Sequence, residues 1–474
     1  MSSTLYSRLF LDLAREIESG RRPVGCRLPS IRQLSRERGI SKSTVLAAYD
    51  RLEAEGLIAA RPRSGYYVID TTTRDAADPR LPQTSQPECT PLPVTSGQIL
   101  LDIMQRGTAF DLLKDTHHEQ GNTALRRCLS RAQRHQTLSA QQNYDEPQGS
   151  ERLRTLLSQR LIQGGSRLGR DELVITGGCQ HALMLALMAT TRPGDIVAIE
   201  SPGYYGVLQL IEALNLKALE LPSSASHGLS PDALELALQH WPIKVLVVSP
   251  SYGTPTGACM PESNKQRILE LMTRKGVPVI EDDIYGELSF SGLRPPTLHS
   301  YDKSGSVLLC SSVSKSLSRD LRVGWIAPGR YLDQVRHLKL VTTLASCQAQ
   351  QEGLAFYLEA GNFDRYLRLR RERLRIQYRE LRELLHQHLP MLESCSQPRG
   401  GLSLWLELPA SIDTIQLYHT AQTEGLVLTP GRLFTAQSRY GNALRLSFAF
   451  PWTEQRQKSV TKLGMLIREQ LSQP

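Results

Sequence analysis

The chain has 474 residues, enough for roughly three domains of ordinary size, and its 40% hydrophobic and 22% charged residues are typical of a globular protein. A formal net charge of +9 permits a polyanionic partner without requiring one. The eight cysteines are scattered singly, which excludes paired metal or redox spacing, and no apolar run reaches the roughly 20 residues of a membrane span. We therefore expect a cytoplasmic protein with reduced thiols, no metal and no membrane association.

The first seventy residues have the pattern of a small helical module. Apolar residues recur at helical spacing from Leu5 to Ile17 and predict a first helix. A second helix is predicted over 31–38, and a third begins after Ser41 and runs to residue 55. The second and third helices, joined by a tight turn, form a candidate helix-turn-helix. Two short apolar runs around a basic tip, over 57–68, predict a winged hairpin after it. Spacing alone also allows a three-helix cap whose polar residues merely face solvent.

Three segments of this module, 25–34, 41–45 and 52–57, together resemble the winged helix of GntR-type transcription regulators. The resemblance implies binding to a double-stranded DNA operator, with phosphates and base edges met by Arg32, Ser41, Lys42, Ser43 and Thr44. It also implies a wing tip at Ser64 and Gly65 near the minor groove. Arginine and lysine would supply the salt-dependent phosphate contacts, and short hydroxyl residues at a helix N-terminus would add donors.

A proline-rich segment follows the module. It has no apolar period, and its prolines are separated by Thr, Asp, Ser and Gln, which is typical of a semi-extended tether. We therefore predict a DNA-binding domain over 1–70, a linker over 71–95 and a larger domain over 96–474.

The larger domain alternates short β-branched runs with helical stretches. The runs lie at 173–176, 196–199, 245–248, 277–280 and 307–310. This alternation predicts an α/β fold with a largely parallel sheet that helices cover on both faces. Ligands bind at the carboxyl ends of such strands, and the polar signals of the chain follow these ends.

Lys315 is the most informative residue of the larger domain. Hydroxyl residues precede it and Arg322 follows, a set that offers pyridoxal phosphate (PLP) an amine for a Schiff base and donors for its phosphate. The turn through Gly178 leads into a helix whose N-terminus suits a phosphate. An ordinary strand-to-helix turn that binds no ligand could also have this sequence. Asp282 ends a strand and could keep a pyridine nitrogen protonated, although acids at such positions also serve as helix caps.

Residues 95–474 resemble fold-type I aminotransferases of the aspartate aminotransferase superfamily, and together with the GntR-like head the chain resembles a MocR-type regulator. The resemblance implies PLP as cofactor and a mainly parallel central sheet, in a large domain over about 96–330, with a smaller α+β domain over about 331–474. It implies that Lys315 forms the Schiff base, that Asp282 pairs with the pyridine nitrogen and that Tyr285 contacts the ring hydroxyl. The other implied cofactor contacts are the stacking Tyr204 and the phosphate-binding Gly178, Cys179, Ser312 and Arg322.

Three further residues carry implications of this resemblance. Tyr144 matches a tyrosine that reaches the phosphate of the neighbouring subunit, which implies a homodimer. Arg445 matches an arginine that clamps a carboxylate, here the carboxylate of a small-molecule effector, for which a bidentate guanidinium is well shaped. Thr254 stands where the enzymes have an asparagine that contacts the ring oxygen, and its shorter hydroxyl makes efficient transamination less assured.

Two interpretations stay open at this point. An arginine-rich stretch over 365–382 shares an apolar stripe of Phe363, Leu367, Leu374, Tyr378 and Leu381, which favours a helix with a basic exposed face over a second DNA surface. For the whole chain we predict a PLP-dependent transcription regulator that senses PLP or an amino compound. The alternative is a working aminotransferase with an accessory DNA-binding head.

Overall fold

The computed structural model describes residues 5–18, 21–23, 25–54, 57–61, 65–68, 79–94, 98–105, 112–113, 122–136 and 142–472. The chain divides into two compact units, Met1–Pro79 and Arg80–Pro474. Within the described ranges, no helix is long and apolar enough to cross a membrane.

The first unit contains three helices and a hairpin: α1 (Leu5–Glu18), α2 (Ile31–Arg38), α3 (Lys42–Ala54), β1 (Ile58–Arg61) and β2 (Gly65–Val68). The two strands pair antiparallel from Ile58 opposite Val68, so the predicted helix-turn-helix and winged hairpin are confirmed. Side chains of α1 and α3 form the core, and the Tyr49 hydroxyl donates to the Pro29 carbonyl at 2.7 Å. This bond ties α3 to the segment that leads into α2.

The first half of the second unit alternates strands and helices. Its elements are β3 (Leu92–Pro93), α4 (Gln98–Gln105), α5 (Thr123–His135), α6 (Glu151–Leu161), β4 (Val174–Thr176), α7 (Cys179–Thr190), β5 (Ile196–Ser201), α8 (Tyr205–Ala213), β6 (Lys217–Ser224), β7 (Gly228–Leu229), α9 (Pro231–His240), β8 (Ile243–Val248), β9 (Ser251–Gly253), β10 (Ala258–Cys259), α10 (Glu262–Lys275) and β11 (Val279–Asp282).

The second half completes the central sheet and adds a smaller one. Its elements are β12 (Val307–Ser312), β13 (Gly324–Ala327), α11 (Leu332–Thr343), α12 (Gln348–Glu359), α13 (Asn362–His388), β14 (Ser394–Cys395), β15 (Ser403–Glu407), α14 (Thr414–Thr423), β16 (Ala443–Ser447) and α15 (Glu454–Ser472).

The central sheet has the strand order β3-β6-β5-β8-β11-β12-β13-β4, with β7 beside β6. Strands β6, β5, β8, β11 and β12 are parallel, whereas β13 runs antiparallel to both of its neighbours. Adjacent residues of one strand pack in different cores, as Val245 and Leu246 do, because side chains alternate between the two faces. The predicted α/β fold with a mainly parallel sheet is confirmed.

The structure describes only part of the linker predicted over 71–95. Residues 71–78 and 95 lie outside the described residues, but residues 80–94 pack on the second unit. The backbone N–H of Ser85 donates to the Ser223 carbonyl at 3.0 Å, and Leu92 pairs with Ala218 at the edge of the central sheet. The composition conceals this edge strand because proline is tolerated at a sheet edge.

The smaller sheet has the antiparallel order β14-β15-β16, and α13 crosses beside it. All five residues of the predicted apolar stripe of α13 are buried, as expected for a core-facing helix. The arginines on its other side are not all solvated, since Arg371 donates to the Glu287 backbone carbonyl at 2.6 Å and pairs with the Glu287 carboxylate at 3.2 Å. The predicted basic face of this helix is therefore not wholly exposed, since Arg371 is engaged by Glu287.

Candidate functional site

Strand order brings the predicted site residues to one edge of the central sheet. Gly324 at the start of β13 pairs with Ser312 at the end of β12 on one side and with Thr176 at the end of β4 on the other. The turn after β4 therefore lies close to the loop that carries Lys315. Asp282 ends β11 one strand further along, opposite Cys310.

The first corner of this site is built around Gly178. Its backbone has φ 102° and ψ 172°, and a Cβ there would lie 2.7 Å from Nη2 of Arg322. Arg322, itself at φ 49°, donates from Nη2 to the Gly177 carbonyl at 2.8 Å. The helix α7 begins at the next residue without a side-chain cap, so its first N–H groups and a guanidinium converge on one spot. Such a spot suits a phosphate.

Two hydroxyls complete this corner. Ser312 Oγ accepts from the backbone N–H of Ser314 at 3.2 Å. The Oγ of Ser314 is buried and has no hydrogen-bond partner among the residues that the structure describes. A buried orphan oxygen is costly unless a ligand or water satisfies it, which fits a bound phosphate at this corner.

Asp282 and Cys179 contact each other beneath the site. The Cys179 thiol donates to Asp282 Oδ1 at 3.3 Å, and the backbone N–H of Ile284 donates to the same oxygen at 3.3 Å. Burial, only partly offset by these donors, raises the pKa of Asp282 to about 6. The side chain of Cys179 therefore faces the carboxylate. The backbone amide of Cys179, at the start of α7, is the group that could face a phosphate.

Lys315 is held in an environment that favours its neutral amine. Burial is the main cause that lowers the pKa of Lys315 well below its usual value, and the positive charges of Arg319 and Arg445 lower it further. Asp282 acts in the opposite direction. An amine without its proton is the nucleophilic form, which Schiff-base chemistry requires.

Among the predicted ring contacts, Tyr285 and Thr254 are buried and Tyr204 is half-buried. Burial raises the pKa of both Tyr204 and Tyr285, so both phenols are protonated donors. The Tyr204 ring lies 4.9 Å from that of Tyr205, centroid to centroid. Thr254 Oγ1 is buried and finds no hydrogen-bond partner in the described part of the chain, as expected for a hydroxyl that awaits a ligand or a water.

Arg445 and Tyr144 differ sharply in exposure. Arg445 is 3% exposed on β16, where Nη2 donates to Thr429 Oγ1 at 3.2 Å and the guanidinium lies 5.7 Å from the Phe434 ring centroid. Tyr144 is 81% exposed. Its role toward a partner subunit stays a prediction.

Sequence reasoning missed two side chains of this region. Ser314 lies in the serine-rich run before the lysine, but only its neighbour Ser312 was assigned to the phosphate. Arg319 stands between Lys315 and Arg322, and its effect on the pKa of Lys315 identifies it as a neighbour of the site. Its position in the same loop as these two residues was the available signal.

The predicted DNA contacts of the first unit lie at the start of α3 and on α2. Arg32, Ser41, Lys42 and Ser43 are exposed and Thr44 is half-buried. Ser41 Oγ accepts from the Thr44 backbone N–H at 3.1 Å, so this serine caps α3.

The predicted wing tip is only partly described. Ser64 lies outside the described residues. Gly65 opens β2 at φ 110°, with the Arg27 side chain 3.3 Å from where a Cβ would stand.

Comparisons with known proteins identify both units. Residues 115–463 match the family model "Aminotransferase class I and II". The chain belongs to this family. Membership of the aminotransferase family indicates PLP as the cofactor, as predicted. Residues 5–68 match the family model "Bacterial regulatory proteins, gntR family". This combination is the MocR-type architecture.

Two relatives in Escherichia coli (strain K12) span almost the whole chain. The uncharacterized HTH-type transcriptional regulator YjiR is 36% identical over 98% of this chain and 99% of its own length. The uncharacterized HTH-type transcriptional regulator YdcR is 33% identical over 98% and 99%. Among solved structures, LysN, an alpha-aminoadipate aminotransferase from Thermus thermophilus complexed with N-(5'-phosphopyridoxyl)-L-leucine, is 25% identical with a TM-score of 0.71, covering 79% of this chain and 96% of that one.

Proposed function

We propose that this chain is a PLP-dependent transcription regulator. Its second unit binds PLP and an amino-compound effector, and its first unit binds a double-stranded DNA operator. The observation that carries this proposal is the presence, in one chain, of an aminotransferase-type lysine site and a winged helix-turn-helix with exposed Arg32 and Lys42.

The cofactor site supports PLP through its own residues. The phosphate would be held by the start of α7, Arg322, Ser312 and Ser314, and the ring would lie between Tyr204 and Asp282. Bound PLP supplies an aldehyde for amines and an electron-withdrawing ring. In return the protein provides a neutral amine at Lys315 and, at Asp282, a carboxylate that a protonated pyridine nitrogen would stabilise in its ionised form.

We further propose a homodimer, which exposed apolar surface supports. At the end of α11, the aliphatic side chains of Val341 and Leu344 are 68% and 49% exposed to solvent. Exposed apolar patches on soluble proteins commonly mark interfaces, and identical subunits most often form a twofold dimer. Tyr144, also strongly exposed, would then reach the cofactor phosphate of the partner.

Effector and operator would be coupled through the free energy of binding. Arg445 would clamp the effector carboxylate while the effector amine competes with Lys315 for the cofactor. An effector that changes operator affinity must have its own affinity changed by the same factor when operator is present. Arg445→Ala should therefore retain binding of PLP and DNA but lose the response to a carboxylate effector.

A working aminotransferase is the second candidate, because the lysine and carboxylate of the site would serve either role. The deciding experiment is selection of binding sites from random DNA by the full-length protein, with and without PLP and a panel of amino acids. A regulator should enrich a defined operator and change its affinity when PLP or an amino acid is added. Failure to enrich any sequence would contradict the regulator and leave the enzyme.

A further inference from the structure

His181 is a half-buried histidine that holds the backbone of the phosphate corner. It is the third residue of α7, and its Nδ1 accepts from the backbone N–H of Gly177 at 3.2 Å. The carbonyl of Gly177 accepts from Nη2 of Arg322 at 2.8 Å. Two side chains therefore hold both backbone polar groups of Gly177, the residue before the positive-φ Gly178. The course of this turn decides where the first N–H groups of α7 point.

The second ring nitrogen of His181 reaches a different helix. Nε2 lies 3.2 Å from Oγ1 of Thr342 on α11. Because Nδ1 accepts from Gly177, the neutral ring carries its own proton on Nε2 and donates it to the Thr342 hydroxyl. That hydroxyl in turn donates to the Leu338 carbonyl at 2.9 Å, one turn earlier in α11. A continuous chain of hydrogen bonds therefore runs from the phosphate corner to α11.

The surroundings of His181 keep its ring neutral. Burial, and then the positive charge of Lys339, lower the pKa of His181. Lys339 is itself fully buried, and its Nζ donates to the Pro147 carbonyl, which anchors α11 one turn before Thr342. A protonated imidazole would direct an N–H at the N–H of Gly177, so only the neutral ring can hold this turn.

We propose that His181 is a positioning residue that holds the Gly177–Gly178 turn in the shape that binds the cofactor phosphate, and that Thr342 orients its ring. His181 would act through the backbone of Gly177 rather than by contact with the cofactor. This inference rests on the proposed function, because it assigns a residue to the phosphate corner of that site. Loss of one such hydrogen bond corresponds to about 3- to 10-fold weaker binding.

The test is absorbance titration of the full-length, cofactor-free protein with PLP and with pyridoxal, which lacks the phosphate. Asparagine and glutamine separate the two ring nitrogens, because the Asn amide takes the place of Nδ1 and the Gln amide that of Nε2. His181→Asn therefore keeps an acceptor for the Gly177 N–H, whereas His181→Gln loses it. Thr342→Val removes the hydroxyl that orients the ring, and Thr342→Ser restores it. Thr343→Val is the matched control, since the Thr343 hydroxyl donates within α11 to the Lys339 carbonyl at 3.2 Å.

We expect His181→Gln and Thr342→Val to raise the dissociation constant of PLP about 3- to 10-fold, with little change for pyridoxal. His181→Asn, Thr342→Ser and Thr343→Val should bind PLP within about twofold of wild type. If His181→Gln does not fold, the comparison of Thr342→Val with Thr343→Val decides in the same way.

Equal losses for PLP and pyridoxal would mean that His181 only stabilises the fold, and would overturn the inference. Wild-type PLP affinity in His181→Gln would overturn it as well. If the wild-type protein bound pyridoxal as tightly as PLP, the corner would hold no phosphate and the inference would be wrong, while the lysine site and the proposed function would stand. A wild-type protein that binds neither compound would contradict both the inference and the proposed function.

Discussion

Gly178→Ala tests the phosphate corner most directly. The backbone of this residue, at φ 102° and ψ 172°, lies in a region that is almost exclusive to glycine, and forcing another residue there costs about 1–3 kcal/mol. The new Cβ would also lie 2.7 Å from Nη2 and 3.1 Å from Cζ of Arg322. The guanidinium must therefore move, and its 2.8 Å bond to the Gly177 carbonyl would be lost or distorted.

These two effects have separate readouts. Backbone strain lowers the free energy of unfolding of the cofactor-free protein, by about 1–3 kcal/mol. Displacement of Arg322 lowers PLP affinity. One lost charge-assisted hydrogen bond to the phosphate is worth about 1.5–3 kcal/mol, which raises the dissociation constant of PLP about 10- to 150-fold. Denaturant unfolding measures the first quantity, and titration of PLP by absorbance measures the second.

Gly194→Ala is the matched control. Gly194 also has a positive φ, 89°, but a Cβ there would meet nothing within 4 Å. This variant should lose stability through backbone strain and bind PLP as wild type does. If Gly178→Ala also binds PLP with wild-type affinity, then Arg322 does not hold the phosphate and the corner is wrongly interpreted.

Four further predictions test other parts of the molecule. Lys315→Ala should abolish the PLP link that borohydride makes permanent, while some PLP stays bound through its phosphate; mass spectrometry after reduction detects the link, and a link at another residue would contradict the assignment. Lys42→Ala should weaken operator binding by about 1–3 kcal/mol if it reads a base edge, and should weaken all DNA sequences equally if it contacts only phosphate, as binding at several salt concentrations would reveal. Asp282→Asn should weaken PLP binding yet stabilise the cofactor-free protein above about pH 6. The reason is that the pKa of the Asp282 carboxyl is about 6 in the folded state and 3.8 in the unfolded state. Ionisation of this carboxyl therefore lowers the free energy of unfolding of the wild-type protein by on the order of 3 kcal/mol as pH rises through this window. An unfolding difference from wild type that is constant between pH 4 and pH 7 would refute that environment. If Tyr144 reaches the cofactor phosphate of a partner subunit, as proposed, Tyr144→Phe should speed PLP loss and leave DNA binding of the first unit unchanged, and equal PLP dissociation rates would remove Tyr144 from the site.

Local sequence patterns predicted the elements whose side chains have one dominant environment. The stripe from Phe363 to Leu381 predicted a buried helix face because spacing and burial coincide there. The β-branched runs predicted the parallel strands for the same reason. The run at 277–280 was shifted, since β11 begins only at Val279. Val277 instead belongs to the end of the preceding helix α10, because its backbone N–H donates to the Met272 carbonyl.

Features that depend on which strands become neighbours were less predictable. The order of the central sheet inserts β13 between β12 and β4, and only this order brings Gly324 next to Gly178. The contact of the Cys179 thiol with Asp282 follows from the same arrangement. No local pattern shows that the Cys179 side chain faces a carboxylate 103 residues away.

The hydrogen bonds around Ser201 link Ser85, near the start of the second unit, to the loop at 434–435. Ser85 donates to the Ser201 carbonyl, and the Ser201 hydroxyl donates to buried Glu220 at 3.0 Å. Glu220 also accepts from the Thr435 hydroxyl at 2.8 Å. The loop of Thr435 contains Phe434, whose ring centroid lies 5.7 Å from the Arg445 guanidinium. The Phe434 carbonyl accepts from the backbone N–H of Gly203, next to Tyr204, the residue predicted to stack on the cofactor.

A ligand can shift an equilibrium only through contacts that differ between its states. Ser201 and Thr435 both donate to the buried Glu220 carboxylate, and Ser85 donates to the Ser201 carbonyl, so a movement of the loop at 434–435 would change hydrogen bonds of this network. Burial raises the pKa of Glu220, and the hydrogen bonds from Ala436, Thr435 and Ser201 oppose this rise. If the loop at 434–435 moved away, the carboxylate would lose donors and become costly to keep buried as an anion. A movement of this loop would therefore change the free energy of the hydrogen bonds around Glu220, which is what coupling through this network would require.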